Sequence, residues 1–150
     1  MAVASAEECL RALLVSTTNV TSIVSTRIRP HLGAQADTAP YLTFQRIATE
    51  RFNHYAGPDD LVAPLIQING WSTSVSQLAT LRNNVRITLN GQMNLTVIVG
   101  TAPNTTTASV SAIWLHDDRD ALESPFDGSD QPIFGFEQDY KVFHKEALTI

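Results

Sequence analysis

Apolar and polar positions alternate along the last third of the chain. Phe134, Phe136, Gln138, Tyr140, Val142 and His144 fall on one parity, while Glu137, Asp139, Lys141 and Lys145 fall on the other, with Phe143 the apolar exception. A period of two predicts an antiparallel strand, opened by Pro132 and running to about Glu146, with one face packed and one wet. Val110-Ser-Ala-Ile-Trp-Leu115 predicts its partner strand, and His116 to Gln131 reads as an acidic loop joining the two. This hairpin is the floor on which helices can pack.

The N-terminal pattern has a different period. Ser5-Ala-Glu-Glu8 has the form of a capping box, in which the hydroxyl accepts an orphan backbone N–H and the carboxylate accepts the cap residue's own N–H. Ala6, Cys9, Leu10, Leu13 and Leu14 then recur at steps of three and four, the stripe of an amphipathic helix. A second short helix is predicted from Val20, Ile23 and Val24 behind the cap candidates Thr18 and Asn19. Arg27-Ile-Arg29 leads to Pro30, and Gly33 to Pro40 is a polar connector. Ser74-Val-Ser-Gln77 is a second capping box and opens another helix, with Val75, Leu78, Leu81, Val85 and Leu89 on one face and Asn90-Gly91 as its stop.

Between the helices, Tyr41 to Ala48 is rich in β-branched and aromatic residues, Gly57-Pro-Asp-Asp60 has turn chemistry, and Leu65 to Trp71 is a returning strand. Tyr41 to Trp71 is thus predicted to be a long β-hairpin whose distal part, Thr49 to Val62, projects beyond the core. Pro64 cannot donate to a ladder and should lie at an edge, a bulge or a strand's beginning. Leu95 to Val99 is a further strand candidate, and Gly100 to Thr107 reads as a flexible Thr-rich loop. The order predicts an α+β fold: a mixed, mainly antiparallel sheet with two main helices on one face and a projecting hairpin. Residues 1–150 fit a single domain, large enough to bury a self-sufficient core.

Composition narrows the function. Fifteen acidic against ten basic residues give a net charge of −5, with only two lysines. A basic patch, which phosphate neutralisation demands of nucleic-acid binders, is missing. Apolar runs fall short of the roughly 20 residues that cross a bilayer, and the first residues lack a basic start before an apolar segment, so a soluble protein without membrane partners is expected. Cys9 is the sole cysteine, which precludes an internal disulfide and multi-thiolate metal sites. The Asn-x-Thr triplets at Asn19, Asn94 and Asn104 match the glycosylation pattern but matter only in a secreted chain.

Candidate chemistry is sparse. No nucleophile elbow, phosphate-cradling glycine loop or dinucleotide fingerprint occurs. His116-Asp-Asp-Arg-Asp120, with Glu123, Asp127 and Asp130, could offer oxygen ligands to a hard cation, but its spacing is not that of a calcium loop. Its plainer reading is a solvated loop in which Arg119 pairs locally. His31, His54, His116 and His144 lie on four different predicted elements. Trp71 and Trp114 read as packing residues. Arg51, Phe52, His54 and Tyr55 at the hairpin tip combine aromatic and basic groups, a composition enriched at protein interfaces. The alternative is that Phe52 and Tyr55 fold back on their own domain. No catalytic, metal or cofactor site is assigned. The interface candidates are this tip and Asp117, Asp118, Arg119 and Asp120.

Several stretches together resemble the tail-completion, or tail-terminator, proteins of long-tailed bacteriophages and related gene-transfer particles. They are the leucine-rich first helix followed by Val20 to Pro30, Ala39-Pro-Tyr-Leu-Thr-Phe-Gln-Arg46, and Ile66-Gln-Ile-Asn-Gly-Trp71 ahead of a helix. To these are added His116 to Asp120 and Phe136-Glu-Gln-Asp-Tyr-Lys-Val-Phe-His144. Met93 to Ser109 and Phe126 to Gln131 are longer than the usual pattern. The resemblance implies a non-enzymatic ring of six copies that caps the head-proximal end of the tail tube, stops its growth and meets the head connector. Its partners would be further copies of itself, the tube protein and a head-completion or connector protein. Its place would be the virion neck after assembly in the host cytoplasm, with DNA passing an acidic lumen without specific binding. Two rival readings are another neck component of the head-completion type and a metal-dependent hydrolase using His116, Asp117, Asp118 and Asp120.

Overall fold

A computed structural model describes residues 5–30, 40–54, 57–101, 103–121 and 133–145. The elements in chain order are α1 (Ala6–Val15), α2 (Thr18–Val24), β1 (Ile28–Pro30), β2 (Tyr41–His54), β3 (Gly57–Ser72), α3 (Val75–Leu89), β4 (Gln92–Thr101), β5 (Asn104–Ala121) and β6 (Phe134–Lys145). The class is α+β, with a mixed six-stranded sheet ordered β1-β2-β3-β6-β5-β4. Among the described residues only β1 and β2 run parallel. The polar connector Gly33 to Ala39 lies outside the described residues. Among the described residues no helix is long and apolar enough to cross a membrane.

The helices begin where their capping chemistry places them. Ser5 Oγ accepts from the Glu8 amide and Glu8 returns a carboxylate to the Ser5 amide, both at 3.2 Å. Ser74 caps α3 by accepting from the Gln77 amide at 3.3 Å. The second half of that box differs from expectation: the Gln77 side chain instead accepts from Ser72 Oγ at 2.7 Å, which ties the helix start to the end of β3. Val75, expected on the packed face, is exposed, and burial begins one turn later at Leu78. Gly91, at φ +82°, takes the left-handed turn after α3.

Ala6, Cys9, Leu10 and Leu14 of α1, Val20 and Val24 of α2, and Leu78, Leu81, Val85 and Leu89 of α3 join one core cluster with Ile66, Ile68, Phe136, Tyr140 and Val142 of the sheet. α3 lies against β3, β5 and β6, and α1 against β2, β3 and β4. The alternation in β6 holds for Phe136, Gln138, Tyr140 and Val142, which are fully buried, but Phe134, expected on the same face, is exposed at the strand's start, and Asp139, expected on the wet face, is buried.

Three expected loops differ from the structure. His116 to Ala121 is not a loop but the end of β5, paired with β6 through Asp117↔Asp139, Arg119↔Glu137 and Ala121↔Gly135. Gly100 to Thr107 is not a flexible loop, because β4 runs to Thr101 and β5 resumes at Asn104, the two antiparallel. Gly57 to Asp60, expected as the turn, already belongs to β3. β6 accompanies β3 out to Leu61, and Val62, Ala63 and Pro64 are buried, so the lower part of the Thr49–Val62 segment does not stand apart from the sheet. Pro64 pairs with Thr49 of β2 but interrupts the β3–β6 ladder between Val62 and Leu65, where a missing N–H is tolerated.

Candidate assembly surfaces

The acidic segment is sorted by the pleat. A register shift between Leu115 and Asp117 leaves His116 as an extra residue, and a bulge of this kind re-aims every side chain after it. Asp118 and Asp120 then share the register face of Gln138 and Phe136, while Asp117 and Arg119 share the face of Asp139 and Glu137. Arg82 of α3 reaches Asp118 Oδ1 through Nε at 2.8 Å and Asp120 through Nη1, clamping the helix to β5. The hydrogen bond to Asp118, foremost, and that to Asp120 raise the Arg82 pKa above its ordinary value. Val75, Leu78, Ala79 and Asn83 complete a shallow recess around these charges.

On the other face Arg119 holds three carboxylates: Glu137 at 2.8 Å, Asp117 at 2.7 Å and Asp139 at 2.9 Å. Its pKa is raised, first by the hydrogen bond to Asp139. Asp139 is the most enclosed of the three, with its side chain 9% exposed, and its Oδ1 has no hydrogen-bond partner among the described groups. Gln45 donates to Gln67 at 2.8 Å in the same register row, and Lys141 bonds Glu50 at 2.8 Å. The face expected to be simply wet is thus a connected polar surface.

Trp114, expected to be packed, is 51% exposed, with its ring 4.9 Å from that of Phe143. Met93, whose strand position faces Ala112 beside Phe143, is exposed as well. Of the hairpin-tip residues, Arg51 is exposed and Phe52 half-buried. His54 pairs through its backbone with Gly57, and Tyr55 lies outside the described residues. Register sets the acidic strand end level with Gln67 and Gln45, well along β2 from Arg51, so the two candidate regions lie at different ends of the sheet.

His116, Asp117, Asp118 and Asp120 do not converge. Two of the carboxylates are engaged by Arg82 and one by Arg119, and among the described residues no three His, Cys, Asp or Glu side chains form a metal-ligand group. Arg82, the residue that organises Asp118 and Asp120, was not identified from sequence. It lies 36 positions away from Asp118, flanking the buried stripe of α3 beside Leu78 and Leu89, and only the fold brings them together.

No protein-family model matches the chain, and no curated protein matches it. A chain of a solved structure described as "Virion of native gene transfer agent (GTA) particle" has a similar fold, with a TM-score of 0.67 over 94% of this chain and 95% of that one. The two are 8% identical, so the likeness is one of fold.

Proposed function

We propose that this protein is a structural component of a phage-like virion: a tail terminator. In this reading residues 1–150 are one domain, and six copies form a ring on the head-proximal end of the tail tube. The ring stops tube growth and presents a surface to the head connector. The observation that carries the reading is the end-to-end fold likeness to a chain of a gene transfer agent particle. It agrees with the resemblance drawn from Tyr41 to Arg46, Ile66 to Trp71 and Phe136 to His144. The arrangement of charge is consistent with it, because the carboxylates that a hydrolase would gather are spent on Arg82 and Arg119.

The ring uses Arg51, Phe52, His54 and Tyr55 on one side. On the other it uses the strand end bearing Asp117, Asp118, Arg119 and Asp120, where Asp120 keeps 74% of its side chain exposed. A closed ring needs two such different patches meeting head to tail. The acidic balance suits a bore through which DNA passes without adhering. The test is the mass of the full chain in solution and on isolated tail tubes, with F52A/Y55A alongside wild type. Ring-sized mass on tubes, lost in the variant while its circular dichroism is unchanged, supports the reading. A wild-type chain that never leaves the monomer and never caps a tube removes it. Capture of the connector without the tube protein would favour a head-completion role.

A further inference from the structure

Strand edges decide where a sheet can be extended, since each carries a row of unpaired backbone N–H and C=O groups. The strand order leaves β1 and β4 outermost. β1 is three residues long and ends in Pro30, which has no N–H. Beyond Phe44 the outer strand on that side is β2, which carries Arg46, Glu50 and Arg51 and two register shifts. Charge and bulges are the features that make an edge a poor template.

The opposite edge has neither. β4 contains no charged residue and no proline, and no Asp, Glu, Lys or Arg occurs between Arg86 and Asp117. Asn94, at φ +53°, marks a change of phase: Met93 is exposed, whereas Leu95, Val97 and Val99 turn into the core, leaving Thr96 exposed and Ile98 65% exposed. β6 accompanies β5 only from Ala112 onward, so among the described residues Asn104–Val110 pair with β4 alone. Among the described residues the distal β4–β5 hairpin is therefore a two-stranded, uncharged arm with a strand edge on each side. Packing of its inner residues with α1 keeps it in place.

We infer that this arm is a further joint between copies, in addition to the tip and the acidic strand end, the outer edge of β4 pairing with the Asn104–Val110 edge of the next copy. The occupant is a second copy because the chain itself supplies the complementary edge, equally uncharged and rich in Thr. Main-chain hydrogen bonds supply the attraction in such strand addition. Two different edges on opposite sides of one arm give a contact that repeats by rotation and can close, whereas one edge meeting itself gives only a two-fold pair. This deepens the ring reading and rests on it for self-association, though not for the number of copies or the tail.

The test uses the full chain with lysines at exposed positions of each edge, T96K/I98K on β4 and T105K/T107K on β5. Sedimentation gives the mass, and amide hydrogen exchange follows the arm. The expected result is an assembled wild type with slowed exchange in Gln92–Thr101 and Asn104–Val110, and loss of assembly in each variant with circular dichroism unchanged. An equimolar mixture of the two variants, each keeping one intact edge, should stop at heterodimers. Wild-type oligomers whose arm amides exchange as in the monomer, or variants that assemble like wild type, would overturn the joint and leave the ring reading standing. Absence of assembly by wild type in solution and on tubes would overturn both.

Discussion

Phe136 lies across Gly70, its register partner on the neighbouring strand, and a Cβ at position 70 would run into the Phe136 ring. One step along, the roles reverse: Trp71 covers Gly135, where a Cβ would sit 2.5 Å from the indole. Each aromatic fills the gap left by a glycine on its own face, at the centre of the sheet. Gly70→Ala should therefore destabilise by roughly 1–3 kcal/mol, the usual range for overpacking a filled site. The additional change Phe136→Leu should recover part of that loss, which urea denaturation of the single and double variants would show. Additive losses would mean that the two residues do not share the space.

Tyr140 and Gln138 share the buried face of β6 and satisfy each other. The phenol donates to Gln138 Oε1 at 2.7 Å, and Gln138 Nε2 donates to the Arg82 carbonyl at 3.2 Å. Tyr140→Phe removes one donor and leaves a buried amide oxygen unpaired, a loss of about 1–3 kcal/mol. Q138L/Y140F removes both partners and should cost less than the sum of the single changes. Thermal melts of all three variants check this, and strict additivity would contradict the coupling.

The two capped helices and the alternating β6 were readable in the sequence because their signals are local: a cap, a stripe and a period of two. The end of β5 was not. Asp117, Asp118 and Asp120 are poor strand formers by propensity, and what holds them extended is Arg82, Arg119 and the β6 ladder, all remote in sequence. Gly100 to Thr107 reads as a flexible Thr-rich loop, yet threonine is a good strand residue, and the segment is held extended by the pairs Thr105↔Gly100 and Thr107↔Ile98. The polar surface around Asp139 and the phase change at Asn94 depend on register and backbone conformation, which composition does not encode. That Asp118 and Asp120 share one face and Asp117 and Arg119 the other likewise follows from register alone.

Arg82 clamps α3 to Asp118 and Asp120, but all three groups keep solvent access, so screening limits what the clamp is worth. Arg82→Ala should lower stability by about 1 kcal/mol at low salt. The difference from wild type should shrink in 1 M salt, where the screening length is about 3 Å. Arg82→Lys should fall between, because an ammonium cannot serve both carboxylates with the same fork. Denaturant midpoints at two ionic strengths measure the effect. A salt-independent loss would point instead to packing of the arginine stem.

Cys9 sits in the core face of α1, and burial first, then the neighbouring Glu8 and Glu7, pushes its thiol up to about 11 from an ordinary 9.0. The folded state therefore holds the proton more tightly than the unfolded chain does. Its contribution to stability is complete below pH 9 and is lost as pH rises through about 11, because the unfolded chain ionises first. At pH 8 the native thiol is both neutral and enclosed, so a maleimide or iodoacetamide should label it at the rate of local or global opening, and promptly in denaturant. Cys9→Ser should lose core packing at neutral pH but flatten the decline in stability between pH 9 and 11. Native labelling as fast as that of a free thiol at pH 8 would show that α1 is not seated on the core as described.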